Sequence, residues 1–244
     1  MDRRTALLGL VAALAGCGGG GGSASPAPAL AAAPPAAAQG PLAAPPPPGP
    51  PAVTLSSNIA LWGDSLTDGT SEIPGYSVQL RRIYPSRIVY DGGVWGETST
   101  SITRRVLADR DRRTWVTVFW MGRNNLADPE QVKADIAAAV AHLGGNARFI
   151  VMSIINSSDE TRGTARHATM TQLNADLAST YHDNFLDVRG HLVDQFDPNS
   201  PQDVAAHAND VVPPSLSQDG LHLNGAGYAV VANRVKAFMD AKGW

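Results

Sequence analysis

Short apolar runs alternate with amphipathic stretches through most of this 244-residue chain, and this alternation limits the folds available to it. The strand-like runs lie at Ile59 to Trp62, Ile88 to Tyr90, Trp115 to Trp120, Phe149 to Ile154, and Phe185 to Val188. The helical patterns lie at Ser77 to Tyr84, Ser99 to Leu107, Asp128 to Leu143, Thr164 to Thr180, and Ala226 to Ala241. Such alternation predicts βαβ units. We therefore expect an α/β fold, a three-layer sandwich with helices on both faces of a five-stranded, mostly parallel sheet.

The most clearly bounded helix begins at Asp128, a capping acid that Pro129 follows in the first turn. Its apolar pattern continues to Leu143, and Gly144 then predicts its end. In contrast, the segment from Asp194 to Gln218 is rich in Asp, Asn, Pro and Ser. This composition predicts a long loop with one helical turn, which is either a functional loop or a surface excursion.

Composition excludes several classes of function. The formal net charge is -3, and no basic block is present, which argues against nucleic-acid binding because that requires a cationic surface. The six histidines are scattered, and the single cysteine rules out paired-cysteine ligands. We therefore expect no structural metal site.

The first seventeen residues have the order of a secretory signal. Two arginines are followed by an almost wholly apolar stretch and then by Gly16 and Cys17. The apolar stretch is shorter than the ~20 residues that a membrane-spanning helix needs. Leu14 to Cys17 resembles the bacterial lipobox, which implies lipidation of Cys17 and a membrane contact through that anchor alone. The expected location is then the cell envelope, either the periplasm or the cell surface. A plain signal peptide, and hence secretion, or an accidental apolar start remains an alternative.

A change of composition divides the rest of the chain. Residues 18–52 are mainly Gly, Ala and Pro, which offer little surface to bury, so this part is predicted to be a disordered linker. Residues 53–244 have the length of one domain with a single core. The interpretation is thus a signal segment at 1–17, a spacer at 18–52 and a folded domain at 53–244.

One serine stands where α/β folds place reactive groups. Ser65 follows the first predicted strand, and ligands bind outside the carboxyl ends of parallel strands. A serine needs a base and an orienting carboxylate to become a nucleophile. His222 and Asp219 offer both, because positions i and i+3 of a turn share one side. Taken alone, such a pair also arises by chance, with His222 capping the last helix and Asp219 solvating a loop.

Four segments in the expected order make the resemblance to a known family specific. They resemble the four sequence blocks of the SGNH (GDSL) hydrolase superfamily and lie at Gly63 to Leu66, Gly93 to Thr98, Gly122 to Asn125, and Asp219 to His222. The resemblance implies a flavodoxin-like fold. It also implies that Ser65 is the nucleophile, His222 the base and Asp219 the orienting carboxylate. The N–H groups of Ser65 and Gly96 and the side chain of Asn124 would form the oxyanion hole.

The implied activity is that of a serine esterase, which hydrolyses short-chain or acetyl esters of small molecules or glycans and requires neither a metal nor a cofactor. A lipase or thioesterase of the same family is also possible, and so is a tethered binding module that has lost catalysis. Asn125 stands where the family usually has Asp. We expect this difference to alter the local hydrogen bonds or the substrate preference and not to abolish activity.

Several other residues near the four blocks carry expectations of their own. Trp62, Trp95 and Trp120 are predicted to lie in the core rather than to form an aromatic rim. Arg123 is expected to point into solvent or to pair with Glu97 rather than to meet an anionic substrate.

Overall fold

The computed structural model describes residues 54–244. The predicted signal segment at 1–17 with Cys17 and the predicted linker at 18–52 lie outside the described residues. Within residues 54–244, no helix combines the length and the apolar composition needed to cross a membrane.

The core of the fold is a sheet of five parallel strands in the order β2-β1-β3-β4-β5. The strands are β1 Ile59–Gly63, β2 Val89–Gly93, β3 Val116–Trp120, β4 Phe149–Met152 and β5 Phe185–Leu186. This confirms the predicted α/β fold. Because β1 lies between β2 and β3, the chain leaves β1 toward one side and later returns to the other. Doubly wound sheets bind ligands in the crevice at such a switch point.

Helices cover both faces of the sheet. They are α1 Ser65–Asp68, α2 Tyr76–Ile83, α3 Ser99–Ala108, α4 Pro129–His142, α5 Ala165–Tyr181, α6 Val188–Val193, α7 Pro201–Ala208 and α8 Gly225–Lys242. The side chains of β1 alternate between two apolar clusters, as the pleat of a strand requires. Ile59 and Leu61 pack with α2, α6 and α8, whereas Ala60 and Trp62 pack with α3, α4 and α5. Both faces of β1 are therefore buried, which explains its continuous apolar sequence.

Two expectations about chain segments are corrected. The fifth strand ends at Leu186 and not at Val188, because the Asp187 side chain accepts a hydrogen bond from the Gly190 N–H and caps α6. The segment from Asp194 to Gln218 contains the two-turn helix α7 in addition to a short 3₁₀ helix. Ser200 caps α7, so the polar composition that predicted a loop in part encodes a helix start.

The ends of three strands meet around Gly63. This residue is in register with Gly93 of β2 on one side and with Trp120 of β3 on the other. A Cβ atom on Gly63 would lie 2.5 Å from the Trp120 carbonyl oxygen and 2.0 Å from Thr67 Oγ1, so only glycine allows this packing. The loops that follow β1, β2 and β3 therefore begin beside one another.

Candidate active site

Ser65 begins the short helix α1 directly beyond β1. Asp64 precedes it as the N-cap, with Oδ1 accepting a hydrogen bond of 2.9 Å from the Leu66 N–H. Only 7% of Ser65 is exposed, and its Oγ lies 2.9 Å from Nε2 of His222. The serine is thus held at the carboxyl edge of the sheet with its hydroxyl against an imidazole.

His222 is in turn held by Asp219. The Nδ1 atom of His222 lies 2.7 Å from Oδ2 of Asp219, and the backbone N–H of His222 donates to Oδ1 at 2.7 Å. Because an ionised carboxylate only accepts hydrogen bonds, Nδ1 carries the proton and Nε2 has its lone pair directed at Ser65. This tautomer is the one that accepts a proton from the serine hydroxyl.

The pKa of Asp219 reflects this arrangement. Partial burial of the carboxyl would raise its pKa, but the hydrogen bonds from the His222 ring and from the N–H groups of Leu221 and His222 outweigh that effect and lower it. The lowered pKa keeps Asp219 ionised, so its carboxylate remains an acceptor for the imidazole at neutral pH.

The loop that carries His222 is fixed at both ends. Ser217 and Leu223 form an antiparallel bridge, and the Gln218 N–H donates to the His222 carbonyl oxygen at 2.8 Å. Helix α8 is capped by Asn224, whose side chain accepts from the N–H groups at the start of that helix. His222 is therefore not the cap of the last helix, and its ring is available to Ser65.

The three predicted oxyanion donors lie at the same edge of the sheet. Among residues 54–244, the backbone N–H groups of Ser65 and Gly96 make no hydrogen bond to another residue. Asn124 follows β3, and its Nδ2 donates one hydrogen to the carbonyl oxygen of Glu97 at 2.9 Å. A carboxamide nitrogen has two hydrogens, so this contact fixes the side chain and leaves the second one for a ligand. Gly96 adopts φ +71°, which favours glycine.

Asn125 belongs to a buried network behind the site. Its Oδ1 accepts from the Ser99 N–H at 3.0 Å, and its Nδ2 donates to Ser99 Oγ at 2.9 Å. The single proton of that hydroxyl is directed to Asp135 at 2.6 Å. The Ser99 hydroxyl donates its only proton to Asp135, so it cannot also donate to a carboxylate at position 125. An aspartate there would therefore leave one carboxylate oxygen facing the Ser99 oxygen without a hydrogen bond, and it would add a negative charge near Asp135. The departure from the family's usual Asp thus matches the neighbouring residues.

Two further expectations are resolved by the structure. Trp62 and Trp120 are buried as predicted, but the prediction was wrong for Trp95, which is 55% exposed. The prediction was also wrong for Arg123, which neither points into solvent nor pairs with Glu97. Its side chain is buried and forms an ion pair of 2.9 Å with Glu160. A charged side chain that is placed next to Asn124 is thereby already neutralised within the fold.

Asp64 is the most perturbed acid beside the nucleophile. Burial raises its pKa to about 6, against the opposing effects of the Leu66 N–H and of the positive groups nearby. Since the carboxyl of the unfolded chain has a pKa near 3.8, the native state holds the proton more tightly. Protonation between these two values therefore stabilises the fold as the pH falls.

This shift predicts a pH-dependent difference between wild type and Asp64→Asn. As the pH falls from 7 to 4, the free energy of unfolding of the wild type should rise relative to that of Asp64→Asn, by up to about 3 kcal/mol. Asn keeps an oxygen to accept from Leu66 but does not titrate. Urea unfolding of both proteins at several pH values measures the difference. Parallel pH profiles would contradict the burial effect.

The fold and the site together define a hydrolase of the SGNH class. The chain belongs to the GDSL-like lipase/acylhydrolase family, whose sequence model matches residues 61–230. The match thus covers most of the sheet, the serine and the His222 loop.

Solved structures with the same fold are distant in sequence. A lipase/acylhydrolase from Enterococcus faecalis is 15% identical, with a TM-score of 0.57, and the match covers 77% of this chain and 97% of that one. A catalytic mutant of an acetylxylan esterase from Geobacillus stearothermophilus is 17% identical, with a TM-score of 0.56, covering 77% and 95%. These likenesses show a shared fold.

One curated relative matches part of the chain. The tail spike protein of Salmonella phage epsilon15 is 28% identical over 142 residues. The match covers 53% of this chain but only 13% of the phage protein. The chain therefore corresponds to a small part of that protein's length.

Proposed function

We propose that the protein is a serine esterase that hydrolyses carboxylic esters of short acyl chains. The observation that carries the proposal is the continuous set of hydrogen bonds from Asp219 through His222 to Ser65. In this proposal Ser65 Oγ attacks the ester carbonyl while Nε2 of His222 takes its proton, and Asp219 stabilises the resulting imidazolium. His222 then protonates the departing alcohol, and an acyl-enzyme remains.

Water completes the proposed cycle. His222 removes a proton from the water, the resulting nucleophile attacks the acyl carbonyl, and the proton returns to Ser65 as the acid leaves. In both steps the negative charge on the carbonyl oxygen would be stabilised by the N–H groups of Ser65 and Gly96 and by Asn124. Neither of the two N–H groups has a hydrogen-bonding partner in the described part of the chain, which supports this role.

The surroundings of the site favour a short acyl group over a long one. A cleft of about 320 Å³ borders Asn124, but five of its eight lining residues are polar, Arg123 and Arg166 among them. A second cleft, beside Trp95, is lined mainly by polar side chains as well. A long fatty acyl chain needs a long and largely apolar channel to offset its removal from water, whereas charged or polar side chains contribute to the walls of both clefts. The acetylxylan esterase with the same fold agrees with this preference.

Hydrolysis rates across acyl lengths test the proposal. We expect kcat/KM for 4-nitrophenyl esters to be highest for acetyl or propionyl groups and to fall for chains of eight carbons or more. A maximum at long chains would favour a lipase and contradict the acyl preference. Absence of turnover with every ester would contradict the esterase itself and favour a binding module.

Asn124 provides a test of the oxyanion site. Asn124→Ala should lower kcat by about 10²–10³-fold with little change in KM, because the donor acts mainly on the charge of the transition state. Steady-state kinetics with 4-nitrophenyl acetate measure both constants. Asn209→Ala, on the surface at the end of α7, is a matched control and should retain wild-type rates. A rise in KM with unchanged kcat in Asn124→Ala would assign the side chain to ground-state binding instead.

We also propose that the protein acts in the cell envelope, anchored through lipidated Cys17. The sequence of residues 1–17 supports this proposal. Metabolic labelling with a clickable fatty acid tests it, since Cys17→Ser should abolish incorporation. Incorporation that persists in Cys17→Ser, or its absence from the wild type, would contradict it.

A further inference from the structure

Trp95 contacts the histidine of the site. Its ring stacks on the His222 ring with centroids 5.2 Å apart and an angle of 12° between the planes. Its indole N–H donates to the carbonyl oxygen of Gly69 at 2.6 Å, which fixes the ring in this position. Despite both contacts, 55% of the residue remains exposed. A large, rigid, amphipathic ring is thus held at the rim of the site with much of its surface open to a ligand.

The open surface of Trp95 faces a cleft. This cleft of about 410 Å³, called the Trp95 cleft below, is lined by Asp68, Thr70, Ser71 and Trp95. It adjoins the nucleophile, because Ser65 and Asp68 are the two ends of helix α1. Trp95 also directly precedes Gly96, one of the proposed oxyanion donors. A substrate whose ester carbonyl lies over Ser65 therefore places part of its structure in or beside this cleft.

Some polar groups of the cleft already have hydrogen-bonding partners within the protein, and others do not. The Thr70 hydroxyl donates to the Gln218 side chain and accepts from the Ile73 N–H, so its hydrogen bonds are used within the protein. Among the residues that the structure describes, the Asp68 carboxylate and the Ser71 hydroxyl have no hydrogen-bonding partner. The cleft thus presents one flat apolar ring, one acceptor and one group that both donates and accepts.

We propose that the Trp95 cleft binds the alcohol part of the ester and that this alcohol is a sugar ring. The inference rests on the proposed esterase function and names its substrate class: O-acetylated carbohydrates. A pyranose has a face of C–H groups, which would pack on the exposed surface of Trp95. Its equatorial hydroxyls would donate to Asp68 and exchange hydrogen bonds with Ser71. Neutral, hydroxyl-rich rings satisfy all three features of the cleft at once.

A cationic alcohol such as choline satisfies the cleft less well. An aromatic face and a carboxylate both attract a quaternary ammonium group, but such groups are usually enclosed by a cage of aromatic rings. The Trp95 cleft has a single aromatic ring among its lining residues. The hydroxyl of Ser71 also has no partner in a trimethylammonium group. These features favour the sugar, and acetylcholine becomes the competitor in the test.

The test compares acetyl esters that differ only in the alcohol. Acetate release is measured from 6-O-acetylglucose, from an O-acetylated xylo-oligosaccharide, from ethyl acetate and from acetylcholine. Ethyl acetate is the reference because it has no ring to stack on Trp95, unlike 4-nitrophenyl acetate. For each protein, the quantity of interest is kcat/KM for the sugar acetate divided by kcat/KM for ethyl acetate. This ratio cancels any effect that a variant has on His222 itself.

We expect the wild type to favour at least one sugar acetate over ethyl acetate. Trp95→Ala should lower this preference by about tenfold or more, and Trp95→Phe, which keeps a flat ring, should retain most of it. Asp68→Ala should lower the preference by about threefold or more, because the sugar loses a charged acceptor. Together these results would support the sugar site.

Other outcomes overturn the inference and separate it from the proposed function. If Trp95→Ala lowers kcat/KM equally for the sugar acetate and for ethyl acetate, the ring only positions His222 and does not bind a sugar. A wild-type preference for acetylcholine would assign the cleft to cations. Hydrolysis of ethyl acetate without preference for either sugar acetate would overturn the sugar site but leave the esterase intact. If no ester is hydrolysed, the proposed function fails and the sugar site fails with it.

Discussion

Replacing Ser65 with alanine is expected to lower kcat for 4-nitrophenyl acetate by about 10⁴–10⁶-fold, because the acyl-enzyme can no longer form. Ser65 is mostly buried, and its hydroxyl oxygen has one partner among the described residues, Nε2 of His222. Removing that oxygen therefore costs the fold little, and the melting temperature should change by no more than a few degrees. Steady-state kinetics and thermal unfolding measure the two effects.

Ser101→Ala is the matched control. Ser101 lies on helix α3, and its hydroxyl makes no hydrogen bond to another residue within 54–244. This variant should retain wild-type kcat and wild-type stability. Ester hydrolysis at more than a few per cent of the wild-type rate in Ser65→Ala would show that another group is the nucleophile. A large loss of stability would show that the serine acts in folding as well.

Replacing His222 with alanine should produce a loss of similar size, again about 10⁴–10⁶-fold in kcat. Without the imidazole, no base among residues 54–244 lies within hydrogen-bonding distance of the Ser65 hydroxyl, and Asp219 is separated from the serine by the missing ring. Groups that act as a unit lose their effect together. The double variant Ser65→Ala/His222→Ala should therefore be no slower than either single variant.

His191→Ala is the control for this prediction. His191 lies on α6, and its ring has no hydrogen-bonding partner in the described part of the chain. We expect this variant to hydrolyse 4-nitrophenyl acetate at the wild-type rate. A His222→Ala protein that keeps substantial activity, or a double variant that is slower by the product of the two single losses, would contradict a joint action of Ser65 and His222.

Much of the site was predictable because each of its parts is encoded locally. Ser65 follows a continuous apolar strand, and Asp219 and His222 are separated by a fixed short spacing. Parallel strands end at one edge of the sheet, so the order of strands and loops already placed Ser65 beside the loop of Asn124. The same reasoning predicted the fold, because helices and strands of this length alternate in the sequence.

The features that sequence reasoning missed depend on partners that are distant in the chain. Arg123 pairs with Glu160 on the loop after β4, and no local pattern links the two residues. The orientation of Trp95 is set by Gly69 and His222, which come from two other loops. Its sequence position gave one usable signal: Trp95 lies beyond the end of β2, outside the buried run of that strand. Tryptophan in such a loop is less constrained to the core than Trp62 or Trp120 within strands.

The covalent labelling of Ser65 by a fluorophosphonate tests the central claim most directly. Only a serine whose proton is removed by a neighbouring base reacts rapidly with this probe. Intact-mass and peptide mass spectrometry should find one adduct per chain, on Ser65, and labelling should be lost in His222→Ala. An unlabelled wild-type protein, an adduct on another residue, or equally fast labelling of His222→Ala would contradict the account.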